Sequence, residues 1–180
     1  MNFEDALLAS VRKLDRVKKS GFIDNFIVIG AIALSRLGKV RSTGDIDFAI
    51  KLSEKSLAAL AKELGGEARF GDLDDPLVGC LNFAVGSGPS RVNIQLIQFP
   101  KGIEDAAFLD YEKQKVKGVQ VPFASWIGLL MLKLYAGSPL DLQDAQSIVD
   151  NKKCTHIEFQ RVQALASKLR LSGRITKISR

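Results

Sequence analysis

The run Asp45 to Ile50, D-I-D-F-A-I, alternates acids with apolar residues, and that alternation admits one regular conformation. In a β-strand successive side chains leave opposite faces, so both carboxylates share one face while Ile46, Phe48 and Ile50 pack on the other. Two like charges side by side are costly unless something neutralises them, and a hard divalent cation with oxygen ligands, Mg²⁺ or Mn²⁺, is the usual partner. Upstream, Phe26 to Ile29 reads as a short buried strand, Gly30 permits a tight turn and Ala31 to Leu37 is helix-prone. The first N–H groups of such a helix are free to meet an anion. A phosphate cradle followed by paired aspartates suits a nucleoside triphosphate and its metal. Because Ala31 has no hydroxyl, a phosphate there must be met by backbone N–H groups.

Gly30, Ala33, Gly38, Arg41, Thr43, Asp45 and Asp47 fit the spacing G-G-x-A…G…R-x-T-x-D-I-D, with Ala31 where a second glycine or serine is usual. Further on, Lys133-Leu134-Tyr135-Ala136 and Asp141-Leu142-Gln143-Asp144-Ala145 fit K-L-x-A…R-D-L-x-D-A, with Pro139 or Leu140 near the usual arginine. The segment resembles the nucleotidyltransferase superfamily with the DNA polymerase β-like catalytic fold. Within it, the chain looks closest to the small bacterial abortive-infection toxin type. That resemblance implies a nucleoside triphosphate substrate, Mg²⁺ or Mn²⁺, and Asp45 and Asp47 as catalytic, metal-holding acids. It also implies a nucleotide site at Gly30, Ala31, Arg41, Ser42, Thr43 and Lys133. The acceptor would be a hydroxyl of RNA or tRNA, of a protein side chain or of a small molecule, and the resemblance allows an antitoxin-type protein as a partner.

One departure sets the alternative reading. Members that catalyse supply a third carboxylate from a later strand, and the candidate strand here, Arg91 to Ile97, carries Asn93 and Gln95 on its polar face. A carboxamide ligates through its carbonyl oxygen but brings no charge and cannot act as a base. Glu67, Asp72, Asp74 and Asp75 are the acids that could substitute. The alternative is therefore a fold relative without turnover that works as a nucleotide-sensing or protein-binding module. The D-x-D of nucleotide-sugar glycosyltransferases is a rival, but the chain is short for such an enzyme and the upstream segment is not part of that pattern.

Several duller roles compete with the functional ones. Arg41 could grip phosphate bidentately or sit on a surface loop. Ser42 or Thr43 could donate to the triphosphate or merely order the turn. Lys133 could reach into a cleft or snorkel at a helix edge. Asp141, three residues after Ser138, fits a helix cap, and Asp144 could pair with a base. Cys154-x-His156 lacks the further ligands a zinc site needs. No Walker A or G-x-G-x-x-G sequence occurs.

With 180 residues, 46% apolar and 26% charged, the composition suits one globular domain. No apolar run is long enough to cross a membrane, the first residues do not read as a secretory signal, and Cys80 and Cys154 show no pairing pattern, so a cytoplasmic location is expected. The net charge of +6 is uneven, with Arg12, Lys13, Arg16, Lys18 and Lys19 in one cluster. A second runs through Arg161, Lys168, Arg170, Arg174, Lys177 and Arg180. Such clusters permit a nucleic-acid partner, or are solvated helix faces.

Periodicity predicts a helix over Phe3–Lys19, a strand over Asp45–Lys51 and a helix from an N-cap at Ser53 to Leu64. Ala68 to Gly79 reads as irregular, Leu81–Val85 and Val92–Gln98 as antiparallel neighbours, and Glu104–Tyr111 as a short helix. A small hairpin ends at Pro122, and helices follow over Trp126–Tyr135, Pro139–Val149 and His156–Leu171. The expected fold class is α/β (α+β), a mixed sheet covered by helices. Residues 1–122 would form the core and 123–180 a helical subdomain packed on it, one domain overall.

Overall fold

The computed structural model describes residues 2–71 and 77–178. Helix α1 (Phe3–Lys19) has the expected bounds because both ends are specified: Asn2 Oδ1 accepts from Asp5 N at 2.8 Å, and Arg16, Lys18 and Lys19 occupy the last turn. Then come β1 (Ile23–Val28), α2 (Gly30–Ser35), β2 (Asp45–Leu52), α3 (Leu57–Leu64), β3 (Glu67–Phe70), β4 (Gly79–Val85) and β5 (Val92–Gln98). They are followed by α4 (Lys101–Ala107), β6 (Glu112–Val116), β7 (Val119–Phe123), α5 (Trp126–Ala136), α6 (Pro139–Lys152), α7 (His156–Lys168) and α8 (Ser172–Ile175).

The strands form one mixed seven-stranded sheet, ordered β3-β4-β5-β2-β1-β7-β6. Strand β2 lies antiparallel to β1 and parallel to β5, so the twin-acid strand sits at the centre. One face of the β2, β5 and β4 ladder is apolar, with Ile46, Phe48, Ile94, Leu96, Leu81 and Phe83 buried beneath α1 and α3. The opposite face carries the acids, and α4 and α5 pack on that side. A single contiguous core runs from Ala6 to Ile178 and joins the C-terminal helices to the sheet.

The first three helices after β7 each begin at a side-chain cap. Ser125 accepts from Gly128 N, Ser138 accepts from Asp141 N, and Thr155 forms a reciprocal capping box with Glu158. Arg174, part of the basic cluster that the sequence leaves to a nucleic-acid partner or a solvated face, instead donates from Nη1 to Leu134 O at 2.8 Å and to Tyr135 O. It thereby closes the C-terminus of α5. Gly137 (φ +70°) leaves it room, since a Cβ there would stand 2.6 Å from the Arg174 Cζ. Arg174→Ala strips these carbonyls of their donor and is expected to cost roughly 1–3 kcal/mol. Urea unfolding measures this, and an unshifted midpoint would contradict it.

Several boundaries differ from expectation, each for a local reason. Helix α3 is capped by Ser56, whose Oγ accepts from Ala59 N at 3.2 Å, because the Ser53 hydroxyl is committed to Gly21 O. Part of the segment read as irregular is β3, an edge strand with one neighbour and little burial, hence little periodicity. Pro122 does not end the hairpin: β7 runs on to Phe123. The β7 ladder to β1 has only the pair Val28↔Phe123, so the missing N–H at Pro122 breaks nothing. Helix α4 starts after Pro100 rather than at Glu104, and α2 and α7 stop earlier than expected.

Candidate active site

The turn after β1 brings Gly30 onto the acid strand. Ile29 N donates to Asp47 O at 2.9 Å, and Gly30 holds φ +66°, a conformation that side chains resist. A Cβ at Gly30 would collide with the Asp47 carboxylate, whose Cγ lies only 2.9 Å from that position. The glycine bend and the second acid therefore close on one point. Helix α2 begins there with no side-chain cap at Ile29, so its first-turn N–H groups have no side-chain acceptor. Ala31 is buried, which leaves only backbone at the bend.

Asp45 is exposed and Asp47 half-buried on the same face of β2. Burial first, and then the charge of Asp45, push the Asp47 carboxyl above its ordinary value; Lys133 and Arg41 oppose this only in part. The native state thus binds more protons than the unfolded chain between the ordinary and the raised value. Stability of the metal-free protein falls as pH rises through that window. A cation needs the ionised form and releases the proton on binding. Cation affinity is expected to rise with pH through the raised Asp47 value and then level off. Calorimetry in buffers of different ionisation enthalpy reads that release, and a pH-independent affinity would contradict it.

Strand β5 is the strand next to the acids, running parallel in register. Asn93 stands opposite Asp45, and Gln95 stands opposite Asp47. Asn82 on β4 continues the second row, and the Gln95 amide donates to its Oδ1 at 3.5 Å. Glu67 ends that row on β3, three strands away from Asp47. At about 4.8 Å per strand it lies out of reach of a shared cation. Asp72, Asp74 and Asp75 lie outside the described residues. Among the described residues no group of three His, Cys, Asp or Glu side chains could hold a metal. The donors that fit a hard cation are thus the two carboxylate side chains, with carboxamide oxygens beside them.

The cations that sequence reasoning aimed at phosphate are tied to a buried carboxylate. Asp144, fully buried, lies 2.9 Å from Lys133 Nζ, 3.1 Å from Arg41 Nη1 and 3.0 Å from Lys39 Nζ. Its Oδ1 has no well-angled hydrogen bond, so the Lys39 contact there is ionic. Lys133 also donates to Asp141 Oδ1 at 2.8 Å, while Asp141 Oδ2 accepts from Ser138. Asp141 thus braces the Ser138 cap and is an ion-pair partner. Burial raises Asp141 and Asp144, but the ammonium of Lys133, with the Ser138 hydroxyl for one and the Lys39 charge for the other, outweighs it and holds both below the ordinary range. Thr43 orders the turn: its hydroxyl donates to Asp45 O at 3.0 Å and accepts from Asp45 N at 3.3 Å. Ser42 is exposed beside it.

A cavity of 320 Å³ opens between the acid face of the sheet and α5. Asp47, Gly30, Gln95, Lys133 and Asp141 form its polar part, and Ile97, Phe99, Leu129, Leu132 and Tyr135 supply apolar wall. Lys133 lines this cavity, with its side chain 13% exposed. The structure brings Gly30, Asp47, Gln95 and Lys133 together, while Arg41 is bonded to Asp144 and bears on Asp47 by its charge. Sequence reasoning missed Lys39 and the apolar wall. The basic cluster on α1 lies across the sheet from the acids: Lys13 stands over the ring of Phe83, which faces away from Asn82 and Asp47.

No protein-family model matches the sequence, and no curated protein sequence does. The fold has counterparts among solved structures. An antigenic nucleotidyltransferase-like protein from Paracoccidioides brasiliensis superposes with a TM-score of 0.53 at 17% identity, over 97% of this chain and 94% of that one. The solution structure of the antibiotic-resistance factor ANT(2'')-Ia gives 0.52 at 14% identity, over 93% of each chain. The chain has a nucleotidyltransferase-like fold. These likenesses carry the fold alone and leave the toxin subtype resting on the motif. Among the described residues no helix is long and apolar enough to cross a membrane.

Proposed function

We propose that this chain is a nucleotidyltransferase that binds a nucleoside triphosphate with Mg²⁺ or Mn²⁺ and transfers its nucleotidyl group to a hydroxyl. The observation that carries the reading is the close approach of Gly30 to Asp47, which leaves a side-chain-free bend beside a pair of carboxylates. Asp45 and Asp47 would hold the cation, which supplies charge neutralisation at the polyphosphate. Backbone N–H groups from Gly30 onward and the Lys133 ammonium would bind and orient phosphate oxygens. The acceptor oxygen forms a bond to the α-phosphorus as the bond from that phosphorus to the bridging β-oxygen breaks. Pyrophosphate leaves, and the hydroxyl proton passes to solvent. Rate enhancement would come from positioning and charge.

Incubation with α-labelled nucleoside triphosphates, Mg²⁺ and either tRNA or lysate tests this. Transfer of label that is lost in both Asp45→Ala and Asp47→Ala is the expected result. Failure to bind any triphosphate with or without metal would sink it. The second reading, a nucleotide-sensing or protein-binding module without turnover, is favoured by the carboxamides of Asn93 and Gln95 opposite the two acids. It predicts binding with no label transfer. An RNA or protein acceptor and an antitoxin-type partner rest on the motif resemblance. The α1 basic cluster adds nothing to a nucleic-acid acceptor at this cleft, since it lies on the far face of the sheet.

A further inference from the structure

We infer that this site takes a single divalent cation, and that the Lys133 ammonium is the fixed positive charge standing where a second metal would otherwise be needed. The inference rests on the nucleotide-binding reading above and deepens it.

Two-metal centres hold their cations about 3.5–4 Å apart, bridged by shared carboxylates, with further anionic oxygens completing each shell. Here the acids come from one strand, and the neighbouring strand in register presents carboxamides, Asn93 beside Asp45 and Gln95 beside Asp47. No third His, Cys, Asp or Glu joins them among the described residues. Gln95 already gives its amide N–H to Asn82, which leaves its carbonyl oxygen as the neutral ligand it can offer. That set suits one hard cation whose remaining positions are filled by water and phosphate.

The positive charge missing from such a site is present in another form. Lys133 lines the same cavity as Asp47 and Gln95. An ammonium has three donors. Two are matched by Asp141 at 2.8 Å and Asp144 at 2.9 Å, which fix the head group and leave one for the cavity. A second dication would have to share that cavity with this ammonium, and Asp141, the other described carboxylate lining it, is already paired with Lys133.

Mn²⁺ titration of the full chain, with a non-hydrolysable nucleoside triphosphate analogue, read by electron paramagnetic resonance, separates the outcomes. The expected result is one bound Mn²⁺ per chain with no exchange-coupled signal. Two coupled ions in the unaltered protein would overturn the inference. No protein-dependent Mn²⁺ would instead overturn the nucleotidyltransferase reading itself. Gln95→Glu restores an acid beside Asp47 and is expected to raise the stoichiometry from one to two with a coupled spectrum. A stoichiometry that stays at one in that variant would show that the carboxamide is not what limits the site, and would overturn that part. Lys133→Gln is expected to weaken analogue binding at least fivefold while circular dichroism stays unchanged, and full retention of affinity would remove Lys133 from the site.

Discussion

Gly30→Ala is expected to weaken Mn²⁺ and triphosphate binding together, by on the order of 10- to 100-fold, the range found when the support of a metal ligand is disturbed. The cause is local. A methyl group at Gly30 occupies the space of the Asp47 carboxylate, so the acid must rotate away from the face it shares with Asp45. The left-handed backbone at this position adds about 1–2 kcal/mol of strain for any residue with a Cβ. Gly44→Ala is the matched control: it also flanks the acid strand, but a Cβ there meets nothing within 4 Å. Calorimetric titration of both variants checks this. Equal affinities for Gly30→Ala and the unaltered protein would mean that the bend does not shape the cation site.

Removing the Asp144 carboxylate is expected to have the largest effect on stability. Asp144→Ala leaves Lys39, Arg41 and Lys133 without the buried charge that gathers them. Breaking a buried ion pair typically costs about 3–5 kcal/mol. The lysine at 26% exposure and the arginine at 36% can turn partly to water, which lowers the expected cost to roughly 2–4 kcal/mol. The pH dependence has a definite sign. The carboxyls of Asp144 and Asp141 are held below their ordinary range, so their contribution is full above the unfolded value and is lost as pH falls through the folded one. Asp144→Asn should flatten that acid limb of the unfolding curve. An acid limb identical to that of the unaltered protein would contradict the assignment.

The same cluster explains what was legible in the sequence and what was not. The acid strand is legible because its alternation and its upstream glycine are local. The helix starts at Ser125 and Ser138 are legible because a cap is read within four residues. Edge strand β3 is not, because it buries too little to leave a pattern. Arg41 pairs with a residue more than a hundred positions away, and a motif cannot tell a phosphate-seeking arginine from one already committed to a buried acid. For the same reason Lys39 carries no signal at all. The adjacency of β5 to β2 is likewise long-range: spacing suggests which strand carries Asn93 and Gln95, but only the register puts each amide beside a particular acid. The apolar wall of the cavity reads in sequence as ordinary core.

Paramagnetic relaxation of backbone amides by Mn²⁺, recorded with a bound triphosphate analogue, tests most directly whether bend and acids enclose one metal–polyphosphate. The predicted result is strong broadening at Gly30, Ala31 and Asp45 to Asp47, with the α1 amides from Arg12 to Lys19, on the far side of the sheet, left sharp. Broadening centred elsewhere, or at the acids while Gly30 and Ala31 stay sharp, would contradict it.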